Sequence, residues 1–199
     1  MRISDIHQTL SQLGALPVHR ERVLRAWLQA KPLDACRKRQ QAENFLPVAV
    51  RGYLPQLAQQ LEQLARIHSQ HPGSDGSMRL LVELADGQMV ESVLLPRDGL
   101  CVSTQLGCAV SCRFCMTFKS GLIRQLTSGE IVAQVVLARR LRPVKKVVFM
   151  GMGEPAHNLA NVLEAIDLLG TDGRIGHKNL VFSTVGDRRV FELLPQQRV

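Results

Sequence analysis

Residues 127–155 read TSGEIVAQVVLARRLRPVKKVVFMGMGEP, and the alternation inside this stretch decides the fold. Thr127 and Glu130 stand three apart ahead of an apolar run. At that spacing a hydroxyl and a carboxylate can each satisfy a free backbone N–H at the start of a helix. Ile131, Val132, Val135 and Val136 then recur at helical spacing. Past Pro143, Lys146-Val-Val-Phe-Met150 is a short apolar run, the mark of a buried strand, and it leads into Gly151-Met-Gly-Glu-Pro155. The unit repeats downstream. Leu159, Val162, Leu163, Ile166 and Leu169 form the apolar face of a helix capped by Asn158 and stopped by Gly170, and Leu180-Val-Phe-Ser183 is the next strand. Strand, helix and strand with connections of this length imply parallel pairing and right-handed crossovers, which is α/β architecture. Ligands in such sheets sit at the carboxyl ends of the strands, so residues 151–155 and 183–186 should lie beside one another.

Upstream the rhythm differs. Arg79 to Leu84 and Met89 to Leu95 are β-like runs joined across Ala85-Asp86-Gly87, a hairpin signal because Asp-Gly tolerates positive φ. Residues 71–77, HPGSDGS, have the composition of a linker. From about 19 to 68 the pattern is helical, with Val23, Leu24, Trp27 and Leu28 in one run and Leu54, Leu57, Leu61 and Leu64 in another. Pro17, Pro32, Pro47 and Pro55 open or interrupt these helices. The expected organisation is a helical accessory domain over 1–75, a β-hairpin extension over 76–100 and a core domain over 101–199.

The chain has 199 residues, enough for one domain with a small accessory unit, and its 45% hydrophobic content excludes a wholly disordered chain. No apolar run approaches the length that crosses a bilayer, and the start MRISDIHQTLSQLG lacks the features of a secretory signal, so a cytoplasmic location is expected. A net charge of +8 favours a polyanionic partner such as RNA. The surplus is concentrated in Arg20, Arg22, Arg25, Lys31, Arg37, Lys38 and Arg39, with a second cluster at Arg139, Arg140, Arg142, Lys145 and Lys146. With one Trp and one Tyr, a stacking platform for single strands is poorly supported.

Residues 107–115, GCAVSCRFC, place Cys108, Cys112 and Cys115 on one short loop. In a reduced compartment, five cysteines point to metal or chemistry ahead of disulfides. A structural zinc site wants four ligands, usually as two separated pairs; here there is no second pair, and nothing in the spacing of His157 and His177 links them to the loop. Three thiolates on a compact loop instead suit an iron–sulfur cube, which leaves one iron without a protein ligand. Zinc, or a plain group of structural thiols, is the alternative. Gly151 and Gly153 would let a cofactor approach the backbone, and Glu154 can accept hydrogen bonds from an ammonium group. GMGEP on its own is equally a plain strand-to-helix turn with Pro155 opening the helix.

The C-x3-C-x2-C loop, with CVSTQLGC, GMGEP and FSTVG around it, resembles the RlmN/Cfr group of radical S-adenosylmethionine (SAM) RNA methyltransferases from about Arg20 onward. The resemblance implies a partial (βα) radical SAM barrel, of which this chain holds the first half. It implies Cys108, Cys112 and Cys115 as ligands of a [4Fe-4S] cluster, with Gly153, Glu154 and Ser183 contacting S-adenosyl-L-methionine. By the same route Glu91 matches the family's proton acceptor, and Cys101 the cysteine that helps resolve a covalent protein–RNA intermediate. Glu91 shares a strand side with Met89, Val93 and Leu95, where desolvation would raise its pKa; the alternative is a solvent-exposed Glu on a hairpin edge. Unaided by the family, Cys101 reads as a buried strand cysteine.

The implied reaction methylates an adenosine carbon in large-subunit ribosomal RNA, and in some members transfer RNA. The implied partners are RNA and an electron donor such as flavodoxin, with no membrane and a monomeric state. The family's late methyl-carrying cysteine has no counterpart after Cys115, so a fragment of a longer product, or a degenerate remnant, is expected. Two other readings are a non-catalytic RNA-binding protein and a zinc-stabilised module.

Overall fold

The computed structural model describes residues 1–35 and 45–194. Among the described residues three α-helices come first: α1 (Ile3–Gln12), α2 (Pro17–Leu28) and α3 (Val48–Gln63). Helix α1 was not read from the sequence, although Ile3, Ile6 and Leu10 stand at helical spacing and are all buried. Pro17 opens α2, whereas Pro55 sits inside α3 without ending it. Cys36 and the basic residues Arg37, Lys38 and Arg39 lie outside the described residues.

The helical region is shorter than expected, because β1 (Ala65–Pro72) follows α3 at once. It pairs antiparallel with β2 (Met78–Leu84); of the stretch 71–77 expected as a linker, His71 and Pro72 end β1 and only 73–77 form the tight loop between the strands. In that loop Gly73 N–H donates to Ser77 O at 2.9 Å, and Gly76 takes φ +80°. Strand β1 lacks an apolar alternation because it lies at one end of the sheet with most of its side chains exposed or half-buried, so nothing in its sequence separates it from a polar helix end. The predicted hairpin is present as β2 and β3 (Met89–Leu95), with Gly87 at φ +78° in its turn.

One six-stranded sheet runs β1-β2-β3-β4-β7-β8, with β4 (Gly99–Val102), β7 (Lys146–Phe149) and β8 (Leu180–Phe182). Strands β1 to β4 form an antiparallel meander; β4, β7 and β8 are parallel. Helices α4 (Ser128–Leu141) and α5 (Leu159–Thr171) make the two parallel connections, which is the α/β unit expected. A separate two-stranded ladder pairs β5 (Gln105–Gly107) with β6 (Leu122–Gln125), and α6 (Arg188–Leu193) is the last described helix.

Thr127 and Glu130 cap α4 reciprocally, as their spacing requires. Asn158 does not cap α5. Its side-chain amide instead donates to Thr104 O and Leu126 O, both at 2.7 Å, fastening α5 to the strand ends. Gly170 lies within α5, and the chain turns at Asp172 and Gly173. Leu100, Val102, Val147 and Phe149 are fully buried in the core they share with α4 and α5.

Candidate functional site

The site is built where β4, β7 and β8 end. Beyond β4 the chain runs through Ser103, Thr104 and Gln105, all buried, and these receive the turn after β7. Gly151 N–H donates to Val102 O at 3.0 Å, and Met152 O accepts from Thr104 N–H at 2.9 Å and Gln105 N–H at 3.1 Å. Met152 N–H donates to Ser103 Oγ and Glu154 N–H to Gln105 Oε1, at 2.8 and 2.7 Å. A Cβ on Gly151 would stand 2.7 Å from the Val102 carbonyl, and one on Gly153, at φ +96°, 2.4 Å from Gln105 Cβ. The sequence reading gave these glycines to an approaching cofactor. The structure shows their space filled by the chain's own β4–β5 segment.

Glu154 is 4% exposed, and its oxygens accept from Ala156 N–H and Val185 N–H at 3.0 Å each. The carboxylate thus clasps the loop after β8 against the turn, so residues 151–155 and 183–186 are neighbours as expected. Ser183 is half-buried and follows β8 directly, its N–H directed to Phe149 O at 3.4 Å.

Cys108, Cys112 and Cys115 sit half-exposed on the connection between β5 and β6. Two glycines at positive φ form its neck: Gly107 (+75°) and Gly121 (+64°), with Cys108 N–H bonded to Gly121 O at 3.0 Å. A Cβ on Gly107 would lie 1.9 Å from Gly121 O, so the crossing admits only glycine there. Hydrogen bonds from the Thr117 hydroxyl and from the N–H groups of Thr117 and Phe118 hold the Cys115 thiol below its ordinary value. The thiolate, which is the metal-binding form, is favoured accordingly.

Glu91 and Cys101 lie on the sheet face turned away from α4. Ser92, next to Glu91, reaches Gln134 of α4, and Cys101 stands opposite Val93, which shares the face of Glu91. The desolvation expected at Glu91 is absent. Its side chain is 42% exposed and pairs with Arg79 at 2.7 Å, because the buried side of β3 is the other one, Val90, Ser92 and Leu94. Cys101 is buried, as read, and burial pushes its thiol up.

A buried network behind this face was not read from the sequence. Gln134 Oε1 accepts from Ser92 Oγ and Ser103 N–H, at 2.7 and 2.9 Å, and its Nε2 donates to Ser103 O at 2.9 Å. Ser103 Oγ donates in turn to Glu91 O at 2.5 Å. A polar residue on the apolar stripe of α4 was the available signal.

The second basic cluster is divided: Arg139 and Arg142 turn onto backbone carbonyls, while Arg140, Lys145 and Lys146 stay at the surface. Arg139 donates to Leu28 O and Gly173 O, Arg142 to Leu95 O, and Lys145 pairs with Asp98. In the first cluster Arg25 pairs with Asp172 at 3.0 Å, and Arg22 stacks over Phe45.

Three soft sulfur donors on a solvent-facing loop, one of them already biased to the thiolate, fit an iron–sulfur group in donor chemistry. Among the described residues, no three His, Cys, Asp or Glu side chains gather as a single-ion site. No described helix is long and apolar enough to cross a membrane.

Comparison with known proteins places the chain among relatives. Residues 102–196 match the radical SAM superfamily. The whole chain is 74% identical to a protein named "Probable RNA methyltransferase" in Pseudomonas aeruginosa, covering 58% of that protein's length. It is 73% identical to one of the same name in Bordetella avium, covering 56% of it. The chain therefore spans little more than half the length of these relatives. A crystal structure titled as a radical SAM methyltransferase from Sphaerobacter thermophilus superposes with a TM-score of 0.74 at 31% identity, over 99% of this chain and 59% of that one.

Proposed function

The chain belongs to the radical SAM superfamily, and from that premise we propose that it is the cluster- and SAM-binding part of an RNA methyltransferase acting on an adenosine carbon. One observation carries the reading. A loop of three half-exposed thiols begins three residues after Gln105, which holds the glycine turn at the carboxyl ends of parallel strands, on a chain 74% identical throughout to a protein named for RNA methylation.

Cys108, Cys112 and Cys115 would hold the cluster, with the SAM-facing backbone at Gly153, Glu154 and Ser183. When bound, the cluster and SAM supply radical chemistry, which an aromatic adenine carbon requires because it is too weak a nucleophile for ordinary methyl transfer. The protein's own residues do the rest. Glu154 fixes the two loops against each other, leaving backbone groups as the surface a cofactor meets. Glu91, exposed and paired with Arg79, would be the proton acceptor, and Cys101 on the same face, its thiol pushed up by burial, would be the cysteine that resolves the covalent intermediate. Ribosomal RNA of the large subunit is the proposed substrate, with transfer RNA as an extension. An electron donor such as flavodoxin, a monomeric state and a cytoplasmic location complete the proposal.

Anaerobic reconstitution of the chain with ferrous iron and sulfide tests it. The expected outcome is iron and sulfide in equal amounts, broad brown absorbance, and an electron paramagnetic resonance spectrum of the reduced protein that shifts on adding SAM. Stoichiometric zinc without sulfide, or a cluster indifferent to SAM, would reject the reading. Little or no complete methylation is expected from the 199-residue chain on its own.

A further inference from the structure

We infer that Arg124 is a positioning residue for the cysteine loop, locking the hairpin that carries Cys108, Cys112 and Cys115 to the start of α4 and to the β2–β3 turn. The inference rests on the reading of those thiols as cluster ligands. Strands β5 and β6 form a ladder of their own, outside the six-stranded sheet. A two-stranded hairpin is marginal by itself, so its orientation comes from its links to the rest of the fold: its base is held by Gln105 N–H on Met152 O, by Glu154 N–H on Gln105 Oε1 and by Asn158 on Thr104 O and Leu126 O, and the end nearer the cysteines is held by Arg124. Arg124 lies directly opposite Leu106, one residue before the Gly107 neck.

Its guanidinium reaches three parts of the molecule. Nε donates to Asp86 Oδ2 in the β2–β3 turn at 2.8 Å. Nη1 and Nη2 donate to the two oxygens of Glu130, at 3.1 and 2.8 Å, and Nη1 also donates to Gln125 O at 3.1 Å. Glu130 is 6% exposed and already caps α4 through Thr127 N–H, so its place is fixed before Arg124 meets it. A second link runs from Gln105 through Gln125 to His157 O, at 2.9 and 3.0 Å, but these are neutral amide bonds on the other side of the ladder. The forked, charge-assisted contact is the stronger constraint, and an ammonium cannot reproduce its planar geometry. The same helix carries Gln134, which holds Ser103 and through it the turn at Met152. Through Arg124, the first two turns of α4 set the cysteine loop and the glycine turn in one frame.

The test uses Arg124→Lys in the whole chain, reconstituted with ferrous iron and sulfide. It reads the rate at which EDTA strips the iron and the g-values of the reduced protein. Alkylation of Cys101 in the metal-free chain reports separately whether the sheet is intact, since that thiol is buried in β4. The expected result is Cys101 protected as in the parent, iron lost about tenfold faster, and altered g-values. Should Arg124→Lys expose Cys101, Asp86→Asn decides instead: it cuts one outer link and leaves the buried pair with Glu130, and a smaller acceleration is expected. Parent-like iron loss and g-values in the variant that keeps Cys101 protected would overturn the inference. A parent chain that takes up no iron and sulfide would overturn the reading beneath it, and is distinguished by requiring no variant at all.

Discussion

The glycine turn at 151–155 and the cysteine loop at 108–121 both meet the β4–β5 segment but are built by opposite means. The turn is stitched into the sheet. Its backbone groups bond to Val102, Ser103, Thr104 and Gln105, and its carboxylate, Glu154, is buried and fully engaged. The loop hangs from a two-stranded ladder by a glycine crossing, and at its tip Phe114 is 92% exposed. The turn's geometry is therefore a consequence of the global fold, while the loop's geometry is local. Stability of the chain and order at the thiols should be separable.

Two alanine substitutions test that separation most severely. In Gly151→Ala the new methyl meets the Val102 and Ser103 backbone at 2.7 to 2.8 Å, which cannot yield without moving the end of β4. A loss of about 3 kcal/mol in unfolding free energy is expected from the urea midpoint. Gly107→Ala collides harder, 1.9 Å from Gly121 O, but its collision is in the peripheral ladder. There the midpoint should shift less than for Gly151→Ala, while iron retention after reconstitution collapses. Equal midpoint shifts in the two variants would break the comparison.

Glu154→Gln is expected to cost about 2 kcal/mol. An amide keeps one acceptor oxygen and turns its NH2 toward the N–H of Ala156 or Val185, leaving a buried donor unpaired. Because the carboxylate spans the β7 and β8 loops, hydrogen exchange at Val185 should rise with it. Unchanged exchange there would remove the clasp from the account of the turn.

What the sequence disclosed follows from the same contrast. The parallel units around 127–182 were legible because buried strands and capped helices write themselves as apolar period and cap spacing. The three thiols were legible as donor chemistry. Strand β1 was not, since a polar end strand shows little apolar period, and the opposite fates of Gly151 and Asn158 were not, since both serve contacts to residues about 50 positions away. Glu91 was left between a desolvated and a solvent-exposed reading, and the structure has the exposed one. Alternation gives the side of a strand, whereas burial depends on what packs against it. The basic clusters were legible as charge but not as contacts: Arg139 and Arg142 also reach the carbonyls of Leu28, Gly173 and Leu95, and Lys145 pairs with Asp98, partners that no sequence spacing announces.

The smallest effect concerns the anchor of the cysteine loop and depends on pH. Burial opposes ionisation of Glu130, yet the hydrogen bonds from Arg124 and Thr127 together outweigh it and hold the carboxyl below its ordinary value of 4.5. A carboxyl depressed in the folded state contributes stability above its unfolded value and loses that contribution as pH falls through the folded one. Glu130→Gln retains a capping side chain but no charge, so it should cost about 1 kcal/mol at pH 7. That difference should shrink once the pH drops below 4.5, as the parent carboxyl takes up its proton. Asp172, whose value burial raises despite Arg25, works in the opposite sense in both proteins and cancels from the comparison. Urea midpoints of the two proteins at neutral and acid pH give the answer: a gap that persists unchanged into acid would mean that the Glu130 charge contributes nothing to holding the ladder, and that the hairpin is oriented by its neutral amide links alone.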